Sequence, residues 1–263
     1  MSGELKSIHR RFSASAGTYE AHAVVQRAVA EKLLRLIPAD VVVPRLLEAG
    51  CGTGVFTEYL ADRFPHSHID AMDLSERMIR NAKAKLAENP RIYWHVGNIA
   101  RFEAGSSYPL IASSCSLHWL DHVRDGFLQL SSLMDSGGFL YAALMTRGTL
   151  AELHEARLQV APNKPPLRAL PTESDVREGI GFARLQLAWI KEETIRAIHP
   201  SATAFLRSIH DQGLTGGDFS RAAVPLNRSE IERLVTHYDT NYSTTTGEVY
   251  ASYKILFVTA MKP

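Results

Sequence analysis

The sequence predicts a doubly wound α/β fold: a mostly parallel sheet with helices on both faces, an antiparallel last strand, N-terminal helices and a helical cap insertion. Three observations carry this prediction. Short β-rich runs alternate with amphipathic helical runs from Arg45 to Met145. A glycine-rich turn, Gly50-Cys51-Gly52-Thr53-Gly54, joins the first strand of that alternation to its first helix, and an acid, Asp73, closes the second strand. With 263 residues and 45% hydrophobic content, the chain can bury the core that such a sheet needs.

From Ser7 to Ile37 Tyr19, Ala23, Gln26, Val29, Leu33 and Leu34 recur at helical spacing, and Pro38 ends the run. Strands are then expected at Arg45–Ala49, His68–Met72, Arg91–Val96, Leu110–Cys115 and Gly138–Met145. Helices at Val55–Arg63, Glu76–Ala87 and Val123–Leu133 separate them. Beyond Met145 the alternation stops. Leu150–Val160, Ala202–Ile209 and Ser229–His237 read as cap helices, and Pro162, Pro165, Pro166 and Pro171 punctuate a loop. Ala183–Ile190 and Val249–Met261 read as strands, and the second of these closes the sheet as an antiparallel pair. With no internal repeat or linker, residues 1–263 form one domain: an N-terminal helical segment (1–37), a core (45–146), a cap-bearing region (147–240) and a last strand (249–261).

Charge and cysteine content narrow the function classes. Lys and Arg number 29 against 28 Asp and Glu, a net charge of +1, so no global field favours nucleic acid or a membrane surface as partner. Cys51 and Cys115 lack metal-ligand spacing, so neither a metal site nor a disulfide framework is expected, and a reducing cytoplasm fits. No apolar run approaches the roughly 18 residues of a membrane span.

The chemistry gathers around the first strand. Leu46-Leu47-Glu48-Ala49 runs into three glycines at alternate positions, and a helix follows at once. Glycine lets the backbone turn tightly and lets a ligand approach where a Cβ would clash, while the helix start offers unpaired N–H groups. The Gly-x-Gly-x-Gly spacing differs from the Gly-x-Gly-x-x-Gly cradle of dinucleotide binders. Asp73, about 20 residues on, is placed to accept both hydroxyls of an adenosine ribose. After the third strand, Asn98 and Ile99 can flank an adenine edge and face; Asn98 reads equally well as a turn residue. Cys51 reads as a small loop residue rather than a nucleophile.

Glu48 to Gly54 and Asp73 resemble the nucleotide-binding motif and ribose acid of the class I S-adenosylmethionine-dependent methyltransferases, which have a Rossmann-like fold. Within that class the chain is similar to the malonyl-acyl-carrier-protein O-methyltransferase family of biotin synthesis. The narrower likeness rests on Arg11 to Tyr19 with Gln26, Ser116-Leu117-His118-Trp119-Leu120, Arg147 to His154, and Phe205-Leu206-Arg207-Ser208-Ile209. The resemblance implies S-adenosylmethionine as methyl donor, bound by Tyr19, Glu48, Gly50, Cys51, Gly52, Gly54, Asp73, Leu74, Asn98, Ile99 and Cys115. It also implies an acyl-carrier protein bearing malonyl-phosphopantetheine as partner. Asn98 departs from the Asp that many relatives place there; an amide oxygen accepts the same bond without charge.

A carboxylate attacking a sulfonium methyl is already ionised, so no catalytic acid or base is expected. What the site needs is a carboxylate anchor. Arg207, in the family-like segment on a cap helix, is the expected anchor, with a solvated helix face as the alternative. Trp119, His118 and Tyr253 are further substrate-binding candidates. His118 reads equally as a structural histidine, and Tyr253 more readily as a core tyrosine. Arg157, Lys164, Arg168, Arg177 and Arg184 are candidates for a basic rim facing an acidic carrier. Two rival functions stand beside this one: a methyltransferase for a free small carboxylic acid, and a noncatalytic S-adenosylmethionine-binding interaction module.

Overall fold

A computed structural model describes residues 3–86, 89–165, 170–214 and 224–263. Five strands run parallel: β1 (Arg45–Ala49), β2 (His68–Asp73), β3 (Ile92–Val96), β4 (Tyr108–Ser114) and β5 (Met134–Met145). Two longer strands, β6 (Gln186–His199) and β7 (Val249–Met261), complete one sheet in the order β3-β2-β1-β4-β5-β7-β6. β7 is antiparallel to both of its neighbours. The chain winds outward from β1 to β3, then returns across β1 to β4 and winds the other way. Neighbouring connections therefore diverge at β1 and β4, leaving a crevice at the carboxyl ends of those strands. Leu46, Leu47 and Ala49 are fully buried because β1 is covered on both faces.

The helices form two layers. One core joins Val29 and Leu33 of α3 (Val24–Arg35), Phe56 and Leu60 of α4 (Val55–Arg63), and Phe205 and Tyr238 of the later helices α9 (Ala202–Asp211) and α10 (Arg228–Asn241). The other joins Met72 of β2, Phe127 and Leu130 of α6 (Val123–Leu133), and Val176 and Ile180 of α8 (Glu173–Phe182). The expected cap is thus split: α7 (Ala151–Val160), α9 and α10 extend the first layer, whereas α8 packs beside α6 in the second. A Cβ at Gly179 would stand 3.2 Å from the Arg124 Cα, so glycine permits that approach.

Three elements depart from the sequence reading. The single N-terminal helix is broken into α1 (Gly3–Ser15), α2 (Tyr19–His22) and α3. The break comes where the Thr18 hydroxyl competes for backbone carbonyls, donating to Ser15 O and, at 2.7 Å, to Asp211 O of α9. Helix α8 was not expected, since Gly179 and Gly181 weaken its local propensity. A reciprocal cap starts it: the Thr172 hydroxyl accepts from the Asp175 N–H and the Asp175 carboxylate accepts from the Thr172 N–H. The strand expected at Ala183–Ile190 begins at Gln186 and runs to His199, because Ala183 ends α8, Arg184 is left-handed, and β6 pairs with β7 along its whole length. Lys191, Glu192 and Glu193 sit on this edge strand, where charge is compatible with one open side.

Among the described residues, no helix is long and apolar enough to cross a membrane and no cluster of His, Cys, Asp and Glu could hold a metal ion. Pro166 and Arg168 lie outside the described residues.

Candidate active site

The carboxyl ends of β1, β2, β3 and β4 open onto one cavity whose floor is the glycine turn after β1. Each glycine there has a positive φ and a different reason for it. A Cβ on Gly50 would stand 1.8 Å from Ser116 Oγ, so the loop after β4 closes directly over this position. A Cβ on Gly52 would meet nothing within 4 Å; it would occupy open space in the cavity wall. Gly54 precedes α4, and its Cβ would come within 3.1 Å of Ala82 Cβ in α5 (Glu76–Lys85). Gly54 is not among the residues lining the cavity, and its place is against α5.

Asp73 and Glu48 face this floor in contrasting states. Asp73 accepts from the Gly52 N–H at 3.0 Å and the Ser75 N–H at 2.8 Å. Burial raises its pKa, and these two backbone donors oppose the rise. Glu48 is 1% exposed and its Oε2 has no hydrogen-bond partner. Burial pushes its carboxyl up to about 8, with the Thr57 hydroxyl opposing and the Asp73 charge adding to the rise. The Thr53 hydroxyl and the Gln26 Oε1 are likewise buried, partnerless and in the cavity wall. These orphaned atoms, with the open space at Gly52, fit a ligand that brings ribose hydroxyls and cationic donors; S-adenosylmethionine has both.

The end of the cavity beyond β2 and β3 is lined by Leu74, Asn98 and Ile99. Asn98 lies in the wall and also caps the short 3-10 turn Ile99–Arg101, its Oδ1 accepting from the Ala100 N–H at 3.0 Å. The turn reading of Asn98 is the one this bond shows, and the amide oxygen is already engaged by backbone. At the other end stand Tyr19, Cys51, Cys115 and Trp119. Cys115 is left-handed at φ 52, and burial pushes its thiol up to about 12, with the Ser114 hydroxyl opposing. Burial raises Cys51 too, so neither thiol is a nucleophile at neutral pH.

Sequence reasoning missed the contribution of α1. Phe12 packs edge-on against Trp119, centroids 5.0 Å apart at 88°, and against Tyr19 at 6.1 Å, so three rings wall the cavity's outer end. A Ser13–Ser75 hydroxyl pair at 2.8 Å and the Asn81 amide donating to Ala16 O at 2.7 Å tie the segment down. Phe12, Tyr19 and Gln26 are seven residues apart. That repeat was the available signal; the turns that break the helix decide that all three meet the cavity.

Several expected site residues lie elsewhere. Arg207 is exposed on α9 and is not among the described residues that line this cavity. His118 is buried with its Nδ1 accepting from the Met145 N–H at 3.3 Å, the structural alternative. Tyr253 is 2% exposed and faces a cleft with His22, Ser208 and Gln212 instead. The basic residues do not form one rim: Arg157 is buried and donates to Lys164 O, and Lys164 pairs with Glu230. Arg177 pairs with Glu173 on α8, and exposed Arg184 follows that helix in the opposite layer. Among the described residues, the cavity wall contains no lysine or arginine.

A methyltransferase-domain family model matches residues 47–140. Malonyl-[acyl-carrier protein] O-methyltransferase 2 of Ilyobacter polytropus is 30% identical over 90% of this chain and 90% of its own. A malonyl-[acyl-carrier protein] O-methyltransferase of a Paenibacillus species is 30% identical over 99% of this chain and 100% of its own. Among solved structures, the N-methyltransferase NodS of Bradyrhizobium japonicum, in complex with S-adenosyl-L-homocysteine, superposes with a TM-score of 0.52 at 17% identity, covering 90% of this chain and 87% of its own; that likeness is one of fold.

Proposed function

We propose that this chain, which belongs to the malonyl-[acyl-carrier protein] O-methyltransferase family, methylates the free carboxylate of a malonyl thioester in the cytoplasm, early in biotin synthesis. It is an S-adenosylmethionine-dependent methyltransferase. When bound, that cofactor supplies an electrophilic methyl group. Glu48, Gly50, Gly52, Asp73, Leu74, Asn98 and Ile99 would hold it along the floor and the adenine end.

The observation that carries the substrate reading is the character of the outer end: aromatic rings and neutral hydrogen-bonding groups, with no lysine or arginine among the described lining residues. A guanidinium fork gripping both oxygens would draw charge off the nucleophile. Neutral donors fix one oxygen and leave the other reactive. Tyr19 serves this purpose because burial, with the nearby Cys115 and Asp73, raises its pKa and keeps its proton in place to donate. Trp119 stands in the same wall, and Phe12 packs edge-on against both rings and excludes water. The carboxylate reaches this end already ionised, so none of these residues has to remove a proton.

The thioester is carried by acyl-carrier protein or by coenzyme A. An acidic carrier would meet Arg10 and Arg11 of α1 and His210 of α9, which border a groove beside the cavity's α1 wall. Mass spectrometry of malonyl-carrier protein after incubation with enzyme and S-adenosylmethionine tests the reading. One added methyl on the malonyl form, and none on the acetyl form, supports it. Faster turnover of free dicarboxylic acids would favour the small-acid alternative, and no transfer to any acid would favour the binding module.

A further inference from the structure

We propose that Gln26 binds the ammonium group of the methyl donor, its amide held in the acceptor orientation by a hydrogen-bond chain from α9. The proposal rests on S-adenosylmethionine as cofactor and is independent of which acid is methylated.

The chain starts at a group with one possible role. The Ser208 carbonyl can only accept, so the part of the Gln212 side chain facing it at 3.2 Å is the NH2 group, which also reaches Ser208 Oγ at 3.1 Å. Gln212 Oε1 is then left as an acceptor, and Gln26 meets it with its own NH2 at 3.0 Å. Gln26 Oε1 is consequently turned away from Gln212. Rotating the Gln26 amide alone would bring two carbonyl oxygens together. Both side chains are deeply buried, Gln26 at 7% and Gln212 at 3% exposure, so water cannot relieve such a clash.

Gln26 lines the cavity and its Oε1 has no partner there. A buried acceptor with nothing to accept selects for a donor. Position along the cavity identifies which one. Asp73, Asn98 and Ile99 mark the adenosine end, at β2 and β3. Gln26 sits on α3, which packs against α4, β4 and β5, on the far side of β1. The part of S-adenosylmethionine remote from its adenosine is the aminoacyl chain, which ends in one ammonium and one carboxylate. Only the ammonium donates. Glu48 Oε2 is a second partnerless oxygen in the same wall.

Calorimetry with two nucleosides tests this without any acyl substrate. S-adenosylhomocysteine carries the aminoacyl chain and 5′-methylthioadenosine lacks it. Gln26→Leu should weaken S-adenosylhomocysteine about tenfold and change 5′-methylthioadenosine by less than about twofold, the selectivity of one lost hydrogen bond to a charged donor. Gln212→Leu, which releases the Gln26 amide to rotate, should give a smaller loss of the same selectivity. Should Gln26→Leu fail to fold, the near-isosteric Gln26→Met gives the same readout. Unchanged S-adenosylhomocysteine affinity in the folded variant, or equal losses for both nucleosides, would overturn the assignment.

Discussion

The two ends of the cavity are prepared for a ligand in opposite ways. At the end formed by β2 and β3, where the adenosine is proposed to sit, the polar groups are already satisfied: Asp73 accepts two backbone N–H groups and Asn98 accepts a third. Toward the proposed transfer end Glu48 Oε2, Thr53 Oγ1 and Gln26 Oε1 are buried without partners. A satisfied site is rigid before binding and adds bonds to a fixed frame. An unsatisfied one holds unmet desolvation cost that a complementary ligand relieves, so its contribution is more dependent on ligand charge. Affinity should accordingly be broad at the first end and discriminating at the second.

The floor shared by both ends gives the largest expected effect. In Gly52→Val, a β-branched side chain at φ 54 enters the open space and also strains the turn. S-adenosylhomocysteine affinity should fall by about 3 kcal/mol, roughly a hundredfold, with a smaller loss of stability. A folded variant binding like wild type would mean that the turn is only structural. Next in size, Asp73→Ala should cost about 1.5 to 3 kcal/mol of binding by calorimetry, for S-adenosylhomocysteine and 5′-methylthioadenosine alike, because it acts at the end that both ligands share. Selective loss of one ligand would break the distinction between the ends.

The unsatisfied end should show itself through pH. Folded Glu48 keeps its proton up to about 8, whereas the unfolded chain releases it near 4.5. Between those values the folded state binds the extra proton, so stability falls as pH rises, and the full cost is present above the upper value. Asp73 is shifted in the same direction and adds to the slope. Denaturant titrations of the ligand-free protein between about pH 5 and about pH 8.5 should show this decline, and Glu48→Gln should flatten it. An equally steep decline in the variant would place the proton elsewhere.

The smallest effect is expected outside both ends. Arg207→Ala removes the charge of an exposed residue that is not among the described residues lining the cavity. Its S-adenosylhomocysteine affinity and its turnover of a small malonyl thioester should stay within about twofold of wild type, as for most surface substitutions. A loss of turnover with intact binding would return the carboxylate anchor to α9.

Legibility followed the range over which each feature is encoded. The glycine turn and Asp73 were readable because strand, turn and helix start are contiguous, and their spacing alone states the chemistry. The cap at Thr172 and Asp175 was equally local, but two glycines in α8 hid the helix behind it. Trp119 lines the cavity after β4 while its neighbour His118 is buried, since one residue's step along a tight turn sends a side chain into the cavity or into the core.

The sequence by itself determined the order of elements, the antiparallel closing strand, the family, and the glycine-turn floor with Glu48 and Asp73 that lines the cavity, because periodicity, capping and turn residues act over a few positions. Only the tertiary structure decided the outer end. Breaks around Thr18 lay α1 across the cavity and bring Phe12 to Trp119, while Gln26 meets Gln212 across 186 residues of sequence. Arg207 is carried to the surface by the same helix that places Ser208 and Gln212 inside. Which face of a cap helix is buried depends on what it packs against, and no local pattern contains that partner.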